Sequence, residues 1–230
     1  MSLNFDQAIR VRTASNLVTS STMKGFAGDK TVVRIPSSGK KRGLAIKSLQ
    51  VTSAWDTLWK LIGKRHQIYF LTIAFDLSEE DFTILPPTEV PASAVYNVKA
   101  GEALSFTLGD GVPLFYPRII EGGLIVYIIV VEADESTRHI GKVMKEVHED
   151  LKKKDSLVDK VKQLITNPSA TIVDEVLAVA TGAMQPIATI LESNNDDHLA
   201  LFTGIYSATD SWAGKLSQTQ NGTTIVLTEL

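Results

Sequence analysis

Cysteine is absent from the 230 residues. That excludes a disulfide framework, a thiolate nucleophile and every thiolate metal site, and it assigns the chain to no redox compartment. A one-signed charge excess is also missing: the formal net charge is -3, too small to draw the chain toward polyanions at a distance. Basic residues cluster only at Lys40-Lys41-Arg42, Lys64-Arg65 and Lys152-Lys153-Lys154, without interleaved aromatics, so nucleic acid is not an expected partner. No apolar run reaches the roughly 18 residues that a membrane-spanning helix needs. The segment Met1-Ser2-Leu3-Asn4-Phe5-Asp6 lacks the basic and apolar regions of a secretory leader. Recognisable catalytic punctuation is missing too. There is no G-x-S-x-G elbow, no phosphate loop and no dinucleotide fingerprint, and the pairs Gly109-Asp110-Gly111 and Gly122-Gly123 read as hairpin turns.

What remains is a globular composition. Hydrophobic residues make up 44% and charged residues 21%, enough apolar material for a sizeable core without a metal or covalent staple. Four histidines are present, and His139 and His148 stand nine residues apart, on opposite sides of any helix that carries both, so they cannot share a metal there.

Strand patterns dominate the first half. Thr31 to Ile35 is short and β-branched. Leu44 to Thr52 alternates, with Leu49 and Val51 on one face and Ser48, Gln50 and Thr52 on the other. Gln67 to Asp76 is almost continuous in β-formers, as expected of a central strand covered on both sides. Residues 79–93 contain Pro86, Pro87 and Pro91 and read as a connection. Strands are expected again over 94–98 and 103–108, and the uncharged Leu124 to Val131 reads as a core strand.

At residue 136 the period changes. Ile140, Val143, Met144, Val147 and Leu151 recur at helical spacing, opposite Lys142, Lys145, Glu146 and Glu149. A second helix is expected around Leu157 to Ile165 and a third from about Thr171 to Glu192. Its residues 176–191 are uncharged but carry Thr181, Gln185 and Thr189, so a buried helix, kinked at Pro186, competes with a membrane-inserting one. Strands return over 198–206 and 223–230. The expected architecture is therefore mainly β with an α+β character. One domain over 1–230 has an antiparallel sandwich from 31–133 and 197–230, with a three-helix insertion over 136–193 before the last strands.

One polar segment draws the eye. Glu132 and Asp134 alternate where the chain leaves the core strand, so both side chains point to one side. Asp56 follows the strand at 44–52 and is expected on a neighbouring loop. Oxygen-rich loop ends of this kind suit a hard divalent cation. The other reading is that Glu132, Asp134 and Glu135 precede the first helix and interact with its dipole.

Leu49-x-Val51-x-x-Ala54-x-Asp56 followed by Ile68-Tyr69-Phe70-Leu71, together with Val130-Val131-Glu132-Ala133-Asp134 and Ile140-Gly141, resembles the first and third loops of C2 domains and their adjoining strands. The resemblance covers 60 to 70 residues of the 230. It implies an eight-stranded C2-like sandwich, Ca²⁺ as cofactor held by Asp56, Glu132 and Asp134, and recognition of a membrane surface or protein partner at that end. The second first-loop acid of the family is replaced by His66-Gln67-Ile68, and Ile140-Gly141 enters a helix pattern instead of a strand. The leading expectation is a soluble, non-catalytic binding module. The alternatives are a membrane-active protein that releases the apolar helix 171–192, and a sandwich-fold hydrolase.

Overall fold

A computed structural model describes residues 19–21, 32–34, 37–51, 66–76, 82–87, 92–99, 101–106, 109–132, 137–152, 197–213, 216–220 and 222–230, together with isolated positions between 153 and 196. The described chain is mostly strand. A short ribbon comes first, β1 (Thr19–Ser21) against β2 (Val32–Arg34). Two larger antiparallel sheets are built from β3 (Arg42–Val51), β4 (His66–Asp76), β5 (Phe82–Leu85), β6 (Tyr96–Val98), β7 (Ala103–Ser105), β8 (Val112–Arg118), β9 (Gly123–Glu132), β10 (Asp197–Ser207), β11 (Ser217–Gln220) and β12 (Thr223–Glu229).

The two sheets share a plan. One runs β10-β9-β4, with the far side of β4 divided between β6 and β5; the other runs β11-β12-β3, with the far side of β3 divided between β8 and β7. Antiparallel pairing of β10 with β9, and of β12 with β3, joins the strands that follow residue 196 to those that precede residue 133.

Period-two patterning directs one face of each sheet inward. Ile68, Phe70 and Ala74 of β4, Val126, Ile128 and Val130 of β9, and Ala200, Phe202 and Tyr206 of β10 meet Leu44, Ile46, Leu49 and Val51 of β3 and Ile225 and Leu227 of β12 in one apolar cluster. The phase of β3 slips between Ile46 and Leu49 because the register with β12 jumps from Ile46–Leu227 to Ser48–Val226. The extra residue at Lys47 is a bulge that lets both halves of the strand bury their leucine and isoleucine side chains.

The opposite face of the β4–β9 sheet is buried as well. Tyr69, Leu71 and Ile73 of β4 and Ile125, Tyr127 and Ile129 of β9 are closed to solvent. Such strands read as unbroken apolar runs because each face has a cover. Helix α1 (Thr137–Lys152), whose Ile140, Val143, Met144, Val147 and Leu151 are all buried, contributes to that cover. Its exposed side carries the ion pairs Lys142–Glu146 at 3.6 Å and Lys145–Glu149 at 4.0 Å. Contact with the sheet runs through His148, 6.3 Å from the ring of Phe82, which in turn lies 5.9 Å from Phe75.

Several expectations need correcting. Residues 79–93 are not merely a connection: Phe82–Leu85 is a strand that ends where Pro86 removes the next donor. Val112–Arg118 is a strand despite Pro113 and Pro117, because among the described residues it pairs with β3 alone and lies at the edge of its sheet. Ser217–Gln220 adds a polar edge strand inside what reads as a loop. The expected strand at 94–98 begins at Tyr96, after a short 3-10 turn over Ala92–Ala94, and α1 is the one helix with defined bounds among the described residues. The second and third expected helices fall mostly outside the described residues. At the described positions Lys160 and Glu175 form an ion pair, Ile187 is buried, and Ala178, Gly182 and Thr189 are exposed. The uncharged stretch 176–191 therefore includes both covered and solvent-facing residues. No described helix is long and apolar enough to cross a membrane.

Candidate functional site

The two sides of the sandwich differ in how they close. On the side of β10 and β11 the sheets are tied together. The backbone N–H of Leu201 in β10 donates to Oε1 of Gln220 in β11 at 2.8 Å, which satisfies an edge donor with a side chain from the other sheet.

At the neighbouring corner Arg42, 4% exposed, holds four acceptors. Its Nε and Nη2 donate to the two carboxylate oxygens of Glu229 at 2.8 and 3.1 Å, and Nη1 donates to the carbonyls of Ser207 at 3.3 Å and Ala208 at 2.8 Å. The guanidinium also lies 3.9 Å from the centre of the Trp212 ring, whose Nε1 donates to the Ser207 carbonyl at 2.9 Å. Hydrogen bonding to Arg42 holds the Glu229 carboxyl below its ordinary range. Two charge-assisted bonds to one carboxylate and two to backbone carbonyls at the end of β10, in the other sheet, make this corner a structural clasp.

On the opposite side the edge strands are short. β6 takes the first three residues of β4 and β5 takes its later part, while β8 and β7 divide β3 in the same way. Pro86, Pro87 and Pro113 lie along these edges, and none can donate to a ladder.

Between the two divided edges lies a cleft of about 290 Å³. Phe70 and Thr72 of β4 and Leu114 of β8 form its buried end, while Tyr96 of β6 and Tyr116 of β8 belong to the two opposing walls. Phe70, Tyr96 and Phe106 make a bracket beside it, with ring centres 5.6 Å apart for Phe70–Tyr96 and 4.9 Å for Tyr96–Phe106. Tyr116, 60% exposed, stands at the mouth and also borders a wider groove that contains Lys47, Asp110 and Glu229.

The electrostatics of the cleft are simple. Its described lining contains no carboxylate, imidazole, amine or guanidinium, and burial pushes the Tyr96 phenol above its ordinary value, so both walls stay uncharged. One polar atom is out of balance. Thr72 is 1% exposed and its Oγ1 is buried without a hydrogen-bond partner. A buried hydroxyl in that state costs about 1–3 kcal/mol, and Thr203 of β10 and Thr223 of β12 carry hydroxyls in the same state.

The three residues singled out from sequence are elsewhere. Glu132 is the last residue of β9, half-buried and opposite Ile68 of β4 and Asp197 of β10. Asp56 and Asp134 lie outside the described residues, as does Glu135. Among the described residues no three His, Asp or Glu side chains lie close enough to hold a metal ion. Ca²⁺ requires six to eight oxygens, and the described part of the rim supplies one carboxylate of the expected three.

The cleft was not foreseen from sequence. Its signals, a threonine inside a core strand and prolines on both sides of it, are ordinary until the pairing partners are known. No protein-family model matches this chain, and neither a curated protein nor a solved structure matches it.

Proposed function

We propose that this protein is a non-catalytic binding module on a C2-like antiparallel sandwich, with a helical excursion between β9 and β10, and that it binds its ligand at the open edge. The observation that carries this reading is the cleft of about 290 Å³ walled by strands of both sheets. Its size falls near the lower end of small-molecule sites, and its apolar lining with few convergent polar groups suits recognition by burial. Hydroxyls and hydrocarbon bind; proton transfer calls for a group that titrates near neutrality, and the described lining contains none.

The test is ligand-detected NMR with a library of small neutral aromatic compounds, on the native chain and on Ala94→Trp. Ala94 lines the cleft and is half-buried, so an indole there fills the space. Binding by the native chain that is lost in Ala94→Trp supports the reading. Binding that survives the plug, or none at millimolar ligand, ends it. The loop-end version of the same reading, with Asp56, Glu132 and Asp134 around Ca²⁺, carries a separate expectation: a Ca²⁺-dependent rise in melting temperature that Asp134→Ala removes. No shift at millimolar Ca²⁺ removes that version and leaves the cleft untouched.

A further inference from the structure

Pro113 and Tyr116 of β8 border two hollows at once, the cleft of about 290 Å³ and a groove of about 780 Å³ that also touches β3 and β12. Along the strand Val112 and Leu114 line the cleft, whereas Gly111 and Pro117 line the groove. β8 pairs with β3 alone among the described residues, so no further described strand of its sheet stands between the two hollows. Their chemistry differs. The described lining of the cleft is uncharged, which disfavours an ion there. The groove carries charge of both signs. Its Glu229 carboxylate is held by Arg42 and Lys40. Its Lys47 and Asp110 are exposed, and neither side chain has a partner among the described residues. Pro113 and Pro117 offer no N–H, so the edge of β8 is a poor template for an added peptide strand.

We infer that cleft and groove form one two-part site for a neutral glycoside, with a compact aromatic body in the cleft and a sugar in the groove. The inference rests on the binding reading above and adds the ligand class to it. The body is buried among Phe70, Leu114 and Tyr96. Tyr116, 60% exposed and bordering both hollows, offers a ring on which the C–H face of the sugar packs. A sugar hydroxyl both donates and accepts, so the sugar accepts from the Lys47 ammonium and donates to the Asp110 carboxylate. An anionic head would meet Asp110, and a cationic one Lys47. A zwitterionic amino-acid head matches both charges, but it is far smaller than a groove more than twice the volume of the cleft.

Calorimetry with four probes on the full chain tests this. Para-ethylphenyl β-glucoside carries both parts and para-ethylphenol the body alone. Methyl β-glucoside carries the sugar alone, and para-ethylphenylalanine has a zwitterionic head in place of the sugar. The native chain should bind the aryl glucoside about tenfold more tightly than the phenol, the gain that one net charge-assisted hydrogen bond supplies, and more tightly than the other two. The double variant Lys47→Ala/Asp110→Ala, changed only at exposed side chains, should bind aryl glucoside and phenol equally and keep the native affinity for the phenol. Equal binding of these two by the native chain, or a preference that survives in the double variant, overturns the glycoside and leaves the cleft reading standing. Tighter binding of para-ethylphenylalanine than of the aryl glucoside puts an amino acid in the sugar's place. Methyl glucoside bound as tightly as the aryl glucoside detaches the groove from the cleft. Either result overturns the inference. If no probe with an aryl body binds the native chain, or if such binding persists in Ala94→Trp, the cleft reading falls and the glycoside with it.

Discussion

The two edges of the sandwich arise from the same pair of sheets and the same core, yet one is sealed and the other is not. At the sealed edge β10 runs for 11 residues alongside β9, and side chains carry the connection across to the second sheet: Gln220 to Leu201, and Arg42 to Ser207 and Ala208. At the open edge the outermost strands β5, β6 and β7 are four, three and three residues long, and prolines interrupt or end the edge segments. A proline removes a ladder donor, and a short strand leaves no row of side chains to reach the other sheet. The comparison teaches that sealing is a property of edges. Inward-facing residues are apolar across the whole sandwich, and at the open edge the sheets are linked by the ion pair of Arg118 in β8 with Asp76 in β4 at 3.2 Å instead of along a long edge strand. The open edge is therefore where space remains for something else.

The largest test of this contrast is at the clasp. Arg42→Met removes a buried guanidinium, leaves the Ala208 carbonyl without its donor and leaves Glu229 with Lys40 at 3.5 Å in place of the two-pronged pair, while the Ser207 carbonyl keeps Trp212. Breaking a buried ion pair from one side costs about 3 kcal/mol or more, to be read as a lower urea midpoint with an unchanged slope. The same pair sets a pH dependence. Because the Glu229 carboxyl is depressed in the folded chain, its contribution is complete above the ordinary carboxylate range and is lost as pH falls through that range toward the folded value. The native chain should therefore lose stability from about pH 5 downward more steeply than Arg42→Met, in which only Lys40 remains to lower the Glu229 carboxyl. Parallel acid limbs for the two proteins would show that the clasp does not hold the edge.

A smaller effect is expected at Gly204 of β10. A methyl group at Gly204 would lie 2.3 Å from the ring of Tyr206, which is itself 5.0 Å from Trp212 in the core. The ring must shift into a packed neighbour, so Gly204→Ala should cost about 2 kcal/mol, as overpacked cores do, with altered near-ultraviolet circular dichroism from the displaced aromatics. An unchanged midpoint would mean that the sealed edge has slack which the geometry does not show. The open edge has its own glycine test of a different kind. Gly111 has φ +94, and a methyl group there would sit 2.4 Å from the Ile46 carbonyl, so its substitution strains backbone instead of packing.

How much of this is legible in the sequence follows from what each element needs. β4 and β9 are legible because both faces are buried, which demands an unbroken apolar run; α1 is legible because its covered stripe repeats at helical spacing. β5, β8 and β11 are not. Pro86 follows β5 at once, Pro113 and Pro117 lie within β8, and β11 reads Ser-Gln-Thr-Gln with no apolar residue to announce a face. Edge strands tolerate both features, and only pairing reveals that they are edges. The cleft is built on two of these three strands, so it was as illegible as they were. Thr72 shows the same limit at one residue: in an apolar strand it is one more β-former, and the missing partner of its hydroxyl exists only in three dimensions. The acids at 132 and 134 were conspicuous for the opposite reason, since charge after an uncharged run stands out whether or not it converges on anything. Of them, Glu132 is placed at the end of β9, while Asp134 and Asp56 lie outside the described residues.

The smallest expected effect has the opposite sign. At the sealed edge the loss of Gln220 or Arg42 removes made hydrogen bonds and destabilises, while Thr203 of β10 and Thr223 of β12 hold buried hydroxyls without a partner. At the open edge Thr72→Val removes a hydroxyl that is buried without a partner and keeps the shape of the side chain. The ligand-free chain should therefore gain about 1 kcal/mol from the substitution, since the unfolded hydroxyl is hydrated and the folded one is not paired. Chemical unfolding of Thr72→Val measures that gain, read as a higher urea midpoint with an unchanged slope. If Thr72→Val instead destabilises the chain, the hydroxyl has a partner within the fold and contributes to the core like its apolar neighbours.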